Sequence, residues 1–177
     1  MKKSAVRNIR KEHDVGGDGG YVFDSGCNPS GVTKIHILCG HFRSYKKEYK
    51  WAILRVFLEF ADSPSSKHPS YHVYEISRGT PSTFVVSPGD KITKIVIWAD
   101  ELSAHALQIH TKNGIISELY GCLDQDSKPH VFHGDSTYRI RDDIELVGVY
   151  GKCGELLVRL GFRFAEVVTR QGCIWNE

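Results

Sequence analysis

Short runs of apolar and β-branched residues, separated by glycine and proline, constrain this chain more than any other feature. Seventeen glycines and six prolines divide the 177 residues, and the runs between them are typical of strands. Alternation in Ile92–Ile97 and Leu107–Thr111 places every second side chain on one face. No stretch carries a helical stripe. The pattern predicts an all-β domain with strands at Lys34–Leu38, Trp51–Phe60, Tyr71–Ile76, Ser82–Val86, Ile92–Trp98, Ala106–Thr111, Ile115–Tyr120, His130–His133, Ile144–Tyr150 and Leu156–Phe164.

Turn residues predict how some of these strands are joined. Asn113 and Gly114 tolerate the two positive φ values of a tight hairpin, which would join Ala106–Thr111 to Ile115–Tyr120. Ser87–Asp90 predicts a second turn, and residues 61–69 predict a longer polar loop. Residues 1–13 and 170–177 show neither strand periodicity nor turn patterns. We therefore expect an N-terminal tail, one domain over residues 14–169, and a C-terminal tail.

One short segment recurs within the chain. Thr33–Ile37 reads T-K-I-H-I, and Thr93–Ile97 reads T-K-I-V-I. Their separation is longer than the roughly 20 to 50 residue period of stacked repeat arrays. The recurrence favours duplicated antiparallel sheets with pseudo-symmetry.

Composition and charge exclude several classes of protein. Apolar residues make up 41% and charged residues 25% of the chain, as in ordinary globular domains. A net charge of +2 supplies no general attraction for nucleic acid, and no run approaches the ~18 apolar residues of a membrane span. We expect no nucleic-acid partner and no membrane insertion. The N-terminus shows no apolar signal stretch, which favours a cytoplasmic location.

The cysteines and histidines predict no metal site. The five cysteines are scattered without a C-x-x-C spacing, which indicates reduced, mostly buried thiols. His130 and His133 lack a nearby cysteine or carboxylate at ligand spacing. We therefore predict no metal and no cofactor.

Four segments of the chain, in this order, resemble the jacalin-related lectin family. Gly16–Gly26 resembles the family's glycine-rich loop followed by G-x-x-F-D-x-G, and Pro88–Ile95 resembles the entry to its central strand. Ile109–Gly114, followed by Tyr120 and Gly121, is similar to its F-x-T-N-x-G hairpin. Val147–Gly154 is similar to its V-G-F-x-G-x-x-G motif. The likeness spans about residues 14–166, and Gly161–Phe164 also resembles jacalin-like modules that precede pore-forming regions in some animal toxins and defence proteins.

The resemblance implies a fold, an activity and a site. The fold is β-prism I, with three antiparallel four-stranded sheets around a pseudo-threefold axis, and the activity is carbohydrate binding without catalysis. In that family the sugar lies between the glycine-rich loop and a G-x-x-x-D loop before the last strand. On this chain the implied sugar contacts are Gly20, Gly154, Glu155, Leu156 and Val158, and the implied partner is a glycan or glycoprotein.

This chain departs from the family pattern at Val158, where the resemblance implies an aspartate. A carboxylate accepts hydrogen bonds from two vicinal sugar hydroxyls, each worth about 1.5 to 3 kcal/mol, and valine accepts none. Glu155 is a nearby acidic side chain that could swing into the same space. The segment that matches the family's second site, Gly40–Ser44, also lacks an aspartate.

An alternative function is a protein-interaction or assembly module that keeps the fold and has lost sugar binding. Phe42, Arg43 and Tyr45 belong to a segment rich in aromatic and basic residues, which are typical of interface anchors. The other interpretation of that segment is a solvated loop leading into a strand. By analogy with the family, a homodimer through strand edges is a further possible assembly.

Three features could suggest an enzyme, and each has a simpler interpretation. Gly16–Gly20 lacks the following Lys-Ser/Thr and helix of a phosphate-binding loop. Asp124–Asp126 could bind a divalent cation, but it lies in a polar stretch typical of a loop. Cys153 could pair with a distant histidine, but an inert thiol is the ordinary expectation. We therefore predict no enzymatic activity.

Overall fold

The computed structural model describes residues 3–11, 14–43, 49–62, 79–133 and 143–170, and their regular structure is all β. Within these ranges there is no helix long and apolar enough to cross a membrane. The strands are β1 (Lys3–Lys11), β2 (Val15–Gly16), β3 (Tyr21–Asp24), β4 (Val32–Arg43), β5 (Tyr49–Phe60), β6 (Gly79–Val85), β7 (Ile92–Ala99), β8 (Ala104–Thr111), β9 (Tyr120–Gly121), β10 (Lys128–His133), β11 (Ile144–Cys153) and β12 (Leu157–Arg170).

The strands form three antiparallel sheets, as the resemblance implies. Sheet A has the order β1-β12-β11-β3, with β2 also paired to β12. Sheet B has the order β5-β4-β6, and sheet C has the order β10-β7-β8-β9. The expected number of four strands per sheet holds only for sheet C in the described part of the chain. The predicted strand Tyr71–Ile76 lies outside the described residues.

The inner faces of the sheets share one hydrophobic core. The repeated segment supplies equivalent positions in two sheets, because Ile35 and Ile37 of β4 and Ile95 and Ile97 of β7 all have 0% exposure. Both strands lie in the interior of their sheets, so the recurrence in sequence reflects a structural equivalence. Phe162 of sheet A meets Phe132 of sheet C edge-on, with ring centroids 6.1 Å apart.

The prediction of a tail over residues 1–13 is wrong, because Lys3–Lys11 forms β1 on the edge of sheet A. The strand pairs with β12 from Lys3↔Arg170 to Lys11↔Arg163, with an irregularity between Arg7 and Arg10. The described side chains of β1 are exposed or half-buried, and the strand is held by backbone pairing. Its sequence therefore does not need to alternate between apolar and polar residues. The same pairing places Arg170, assigned to the C-terminal tail, in β12; residues 171–177 are outside the described ranges.

The turn after β8 forms at the predicted residues, but with a different geometry. Gly114 has a positive φ of 86°, whereas Asn113 is not in the positive-φ region. The Gly114 N–H donates to the Thr111 carbonyl at 3.1 Å, and the Thr111 N–H donates to the Ile115 carbonyl at 2.9 Å. These contacts describe a three-residue loop with a glycine bulge.

The predicted strand Ile115–Tyr120 is wrong over most of its length, since only Tyr120 belongs to β9. The hydroxyl of Ser117 accepts the Ile109 N–H at 2.9 Å. In a continuous strand a backbone carbonyl would accept this Ile109 N–H. Here the Ser117 side chain accepts it instead.

The thiols are less uniformly buried than predicted. Cys39 is buried, Cys153 is half-buried, and Cys27 and Cys122 are exposed, while Cys173 lies outside the described residues. Burial raises the pKa of Cys39 to about 11, so this thiol is inert as a nucleophile at neutral pH.

Candidate functional site

Three loops meet at one end of the molecule, here named the loop end. They are residues 17–20 between β2 and β3, residues 100–103 between β7 and β8, and residues 154–156 between β11 and β12. A Cβ added at Gly17 would lie 2.4 Å from the Leu102 carbonyl oxygen, and one added at Gly20 would lie 2.6 Å from the Cys153 carbonyl oxygen. Only glycine allows the backbones to approach this closely.

The structure brings together the residues that the sequence assigned to two separate loops. An ideal Cβ on Gly154 would lie 3.8 Å from the Cα of Gly20. Gly20 has a φ of 83° and is exposed, as is Glu155, while Leu156 is half-buried. The convergence expected from the motif order is therefore present.

Gly154 is already engaged inside its own turn. Its N–H donates to the Leu156 carbonyl at 2.9 Å, and its carbonyl accepts a hydrogen bond from Arg55 Nη2 at 2.8 Å. The Gly154 amide is therefore occupied within this turn. Arg55, a β5 residue that sequence reasoning did not single out, instead ties sheet B to this turn.

Val158 occupies an irregular position at the start of β12. Lys152 pairs with Arg159 and Cys153 pairs with Leu157, so Val158 is left without a partner in the register with β11. Its carbonyl accepts the Gly17 N–H at 3.0 Å, and its side chain is half-buried. The position expected to hold an aspartate therefore lies against the glycine-rich loop but presents only methyl groups.

A charged network that the sequence analysis missed surrounds this position. Arg159 Nη2 contacts Asp18 Oδ1 at 2.5 Å, and Arg159 Nε donates to the Gly17 carbonyl at 2.8 Å. Lys152 Nζ donates to the Asp18 carbonyl at 3.1 Å. The only sequence signals were the Asp18 inside the glycine run and the arginine that directly follows Val158.

The loop between β7 and β8 is held by a single carboxylate. Asp100 Oδ1 accepts the backbone N–H groups of Leu102 and Ser103 at 2.7 and 2.8 Å, and Oδ2 lies 2.8 Å from His105 Nε2. Burial alone would raise the pKa of Asp100, but the hydrogen bonds from His105 and the two backbone groups outweigh it. The pKa therefore lies below its ordinary value of 3.8.

The same cluster resembles a catalytic triad only in composition. The hydroxyl of Ser103 lies 3.5 Å from His105 Nε2, the nitrogen that also contacts Asp100. A triad needs the histidine to join serine and aspartate through its two different nitrogens. The geometry therefore supports a structural role for the cluster.

We expect Asp100→Asn to destabilise the fold at neutral pH. It removes charge from three hydrogen bonds, and bonds to charged groups are worth about 1.5 to 3 kcal/mol. Because the pKa of Asp100 is depressed in the folded state, its contribution is fully present above the unfolded value of 3.8 and is lost as the pH falls through the lower folded value. Urea unfolding at pH 7 and at about pH 3 should show a loss of stability in the variant that shrinks in acid.

The exposed neighbour Glu101 provides the control for this measurement. Glu101→Gln removes a carboxylate from the same loop, and we expect it to change the free energy of unfolding by less than about 0.5 kcal/mol. Equal destabilisation by the two variants would contradict the role assigned to Asp100.

Two of the predicted interface residues, Phe42 and Arg43, lie in a strand. β4 continues through Gly40 to Arg43, where Phe42 pairs with Lys50 and Arg43 pairs with Tyr49. Phe42 is half-buried, and Tyr45 lies outside the described residues. The loop interpretation is therefore wrong for Phe42 and Arg43, and the interface itself stays a prediction.

The candidate cation pair also has a structural partner. Asp124 Oδ2 lies 2.7 Å from Lys50 Nζ, and the Asp124 carbonyl accepts the Ser127 N–H of a turn at 3.1 Å. In the described part of the chain there is no cluster of three or more His, Cys, Asp or Glu side chains suited to a metal ion.

A concavity of about 320 Å³ lies at the opposite end of the same strands. Its lining includes Ile92 and Glu145, which lie at the starts of β7 and β11. The loop end, in contrast, lies beyond the last residues of these two strands. Burial raises the pKa of the Glu145 carboxyl, and Lys91 opposes this effect. This concavity contains none of the residues that the sequence predicted for the site.

Comparison with known proteins identifies one family. The model of the jacalin-like lectin domain matches residues 13–163, and no curated protein sequence matches the chain. Among solved structures, a mannose-binding lectin from Champedak is 14% identical with a TM-score of 0.55, covering 95% of this chain and 97% of that one. A mannose-specific jacalin-related lectin from Morus nigra, in complex with mannose, is 14% identical with a TM-score of 0.54 and coverages of 93% and 96%. The lamprey immune protein is 17% identical with a TM-score of 0.59; the match covers 92% of this chain and 44% of that one.

Proposed function

The chain belongs to the jacalin-like lectin domain family, whose β-prism I fold it shares, and we propose that it is a non-enzymatic carbohydrate-binding domain. The sugar site lies at the loop end, between the turns of Gly20 and Gly154. The observation that carries the proposal is the direct approach of these two glycines, since a Cβ on Gly154 would lie at contact distance, 3.8 Å, from the Cα of Gly20.

The proposed ligand is a neutral glycan with a terminal mannose-type hexose. Two of the structures similar to this chain are described as mannose-binding and mannose-specific lectins, and family membership supports the transfer. With Val158 in place of the family's aspartate, the contacts at this position differ from those of the family pattern. Single-sugar binding of millimolar strength corresponds to only about −4 kcal/mol, so we expect weak binding to one sugar and stronger binding to branched glycans.

We expect Gly154→Val to abolish glycan binding without unfolding the protein. The added side chain would project toward Gly20, because an ideal Cβ on Gly154 meets only the Cα of Gly20, at an ordinary contact distance of 3.8 Å. The test is a glycan array with the native protein and the variant, followed by calorimetric titration of mannotriose. Binding should fall at least about tenfold, while the free energy of unfolding changes by less than about 0.5 kcal/mol.

Glu155→Gln is a second variant in the same turn. It keeps the shape of an exposed side chain and removes the one acidic group of residues 154–158, so it also tests whether Glu155 replaces the expected aspartate. Absence of reproducible binding by the native protein to any glycan would contradict the proposed function and would favour the protein-interaction alternative. Binding that survives Gly154→Val unchanged would place the sugar site elsewhere.

A further inference from the structure

The carboxylate absent from position 158 has a neighbour that can replace it. The Gly17 N–H donates to the Val158 carbonyl at 3.0 Å, so the glycine-rich loop lies directly against the start of β12. The next residue of that loop is Asp18. Its backbone is therefore held beside the position where the family pattern has an aspartate.

Two cations fix the position of Asp18. Arg159 contacts Oδ1 at 2.5 Å and also binds the preceding carbonyl, that of Gly17, at 2.8 Å. Lys152 donates to the Asp18 carbonyl at 3.1 Å, and its Nζ lies 3.7 Å from Oδ1. Because both its backbone carbonyl and its carboxylate are bound, Asp18 loses little further conformational entropy when a ligand binds.

Asp18 remains open to solvent although it is held in place. Its side chain is 85% exposed, and both of its ion-pair contacts involve Oδ1. No described residue forms a hydrogen bond with Oδ2. This oxygen is therefore available to accept hydrogen bonds from a ligand, as the aspartate of the family pattern would at position 158.

We infer that Asp18, held by Arg159 and Lys152, supplies the carboxylate that recognises a pair of sugar hydroxyls at the loop end. This inference rests on the proposed function and specifies how its site works. Oδ2 accepts from a hydroxyl, and the adjacent Lys152 ammonium donates to a second sugar oxygen. Such charge-assisted hydrogen bonds are the stronger class available to a neutral ligand.

A purely structural ion pair on the same sheet provides the comparison. Asp24 of β3 binds Arg163 through both carboxylate oxygens, at 2.5 and 2.8 Å, and its Oδ1 also accepts the Gly26 N–H at 2.8 Å. Both oxygens of Asp24 are thus occupied, whereas one oxygen of Asp18 is open. Asp24→Asn is therefore a matched control for Asp18→Asn.

The test is a calorimetric titration of native protein, Asp18→Asn, Asp24→Asn and Glu155→Gln with mannotriose, beside thermal unfolding of each. In Asp18→Asn the amide oxygen can still accept from Arg159, which turns the amide N–H₂, a donor, toward the ligand. We expect Asp18→Asn to lose at least tenfold in affinity with no greater loss of thermal stability than Asp24→Asn. Asp24→Asn should keep its affinity within twofold, and Glu155→Gln tests the competing carboxylate.

Each alternative outcome has a definite meaning. If the native protein binds and Asp18→Asn binds within twofold of it, the inference is wrong while the proposed function stands. If Glu155→Gln is the variant that loses binding, Glu155 supplies the carboxylate and the inference is likewise overturned. If the native protein binds no glycan, the proposed function fails and the inference fails with it. Adding Val158→Asp to Asp18→Asn should restore binding, because it returns a carboxylate to the adjacent position.

Discussion

Gly16→Ala is expected to lower the free energy of unfolding by about 3 kcal/mol or more, the range of the most damaging single substitutions. Gly16 has a φ of 118°, and an added Cβ would lie 2.0 Å from the Val158 carbonyl oxygen and 3.1 Å from the Arg159 Cα. Both neighbours are backbone atoms, so no side chain can turn away to relieve the contact. The pairing of Gly16 with Arg159 would have to open, and the glycine-rich loop would move with it.

Two other glycines separate the causes of this effect. Gly89→Ala introduces a Cβ at a φ of 80° into open space, so it reports the backbone penalty alone, about 1 to 2 kcal/mol. Gly17→Ala brings a Cβ to 2.4 Å from the Leu102 carbonyl oxygen without a positive φ, so it reports crowding alone. Urea unfolding of the three variants should place Gly16→Ala as the least stable. A Gly16→Ala variant no less stable than Gly89→Ala would show that the loop is not packed against β12 as described.

Strand positions with buried alternation were predictable from the sequence. Leu107 and Ile109 of β8 are both fully buried, and they alternate with the half-buried polar residues Gln108 and His110. Burial on one face of a sheet imposes a period of two on the sequence, and this period can be recognised without knowing the partner strands.

Elements held by backbone contacts or by single side chains were not predictable in the same way. β1 joins sheet A through backbone pairing with β12, which places no requirement on the pattern of its side chains. The segment after β8 leaves the ladder because the Ser117 hydroxyl takes a backbone donor. A local exchange of this kind has no signature in hydrophobic periodicity.

The candidate site was partly predictable for the same reason. Gly20 and Gly154 could be assigned to one surface because the order of motifs in the chain matched a family whose loops converge. The contact between Asp18 and Arg159 spans 141 residues; Asp18 lies inside the glycine-rich segment but is not one of its glycines, and Arg159 lies just beyond the segment that matches G-x-x-x-D. The contact depends on the register of β12, because the irregularity at Val158 sets the position of Arg159. Periodicity in the sequence does not reveal this register.

Val158→Asp is expected to raise the affinity for mannotriose at least about tenfold. Val158 lies beside the Gly17 backbone and is only half-buried, so a carboxylate there can reach a ligand without being enclosed in the core. One additional charge-assisted hydrogen bond contributes about 1.5 to 3 kcal/mol, and 1.4 kcal/mol corresponds to a factor of ten in the dissociation constant. Lys152 and Arg159 offset the added negative charge next to Asp18.

Val158→Asn separates charge from shape in this experiment. It has nearly the size of the aspartate variant and retains one acceptor oxygen, but its bonds to a sugar are of the weaker neutral class. Calorimetric titration should therefore rank aspartate first, asparagine second and the native valine third. Equal affinities for all three proteins would mean that position 158 does not face the sugar. Binding by the aspartate variant alone would mean that the native pocket has lost glycan recognition, which favours the alternative role as a protein-interaction module.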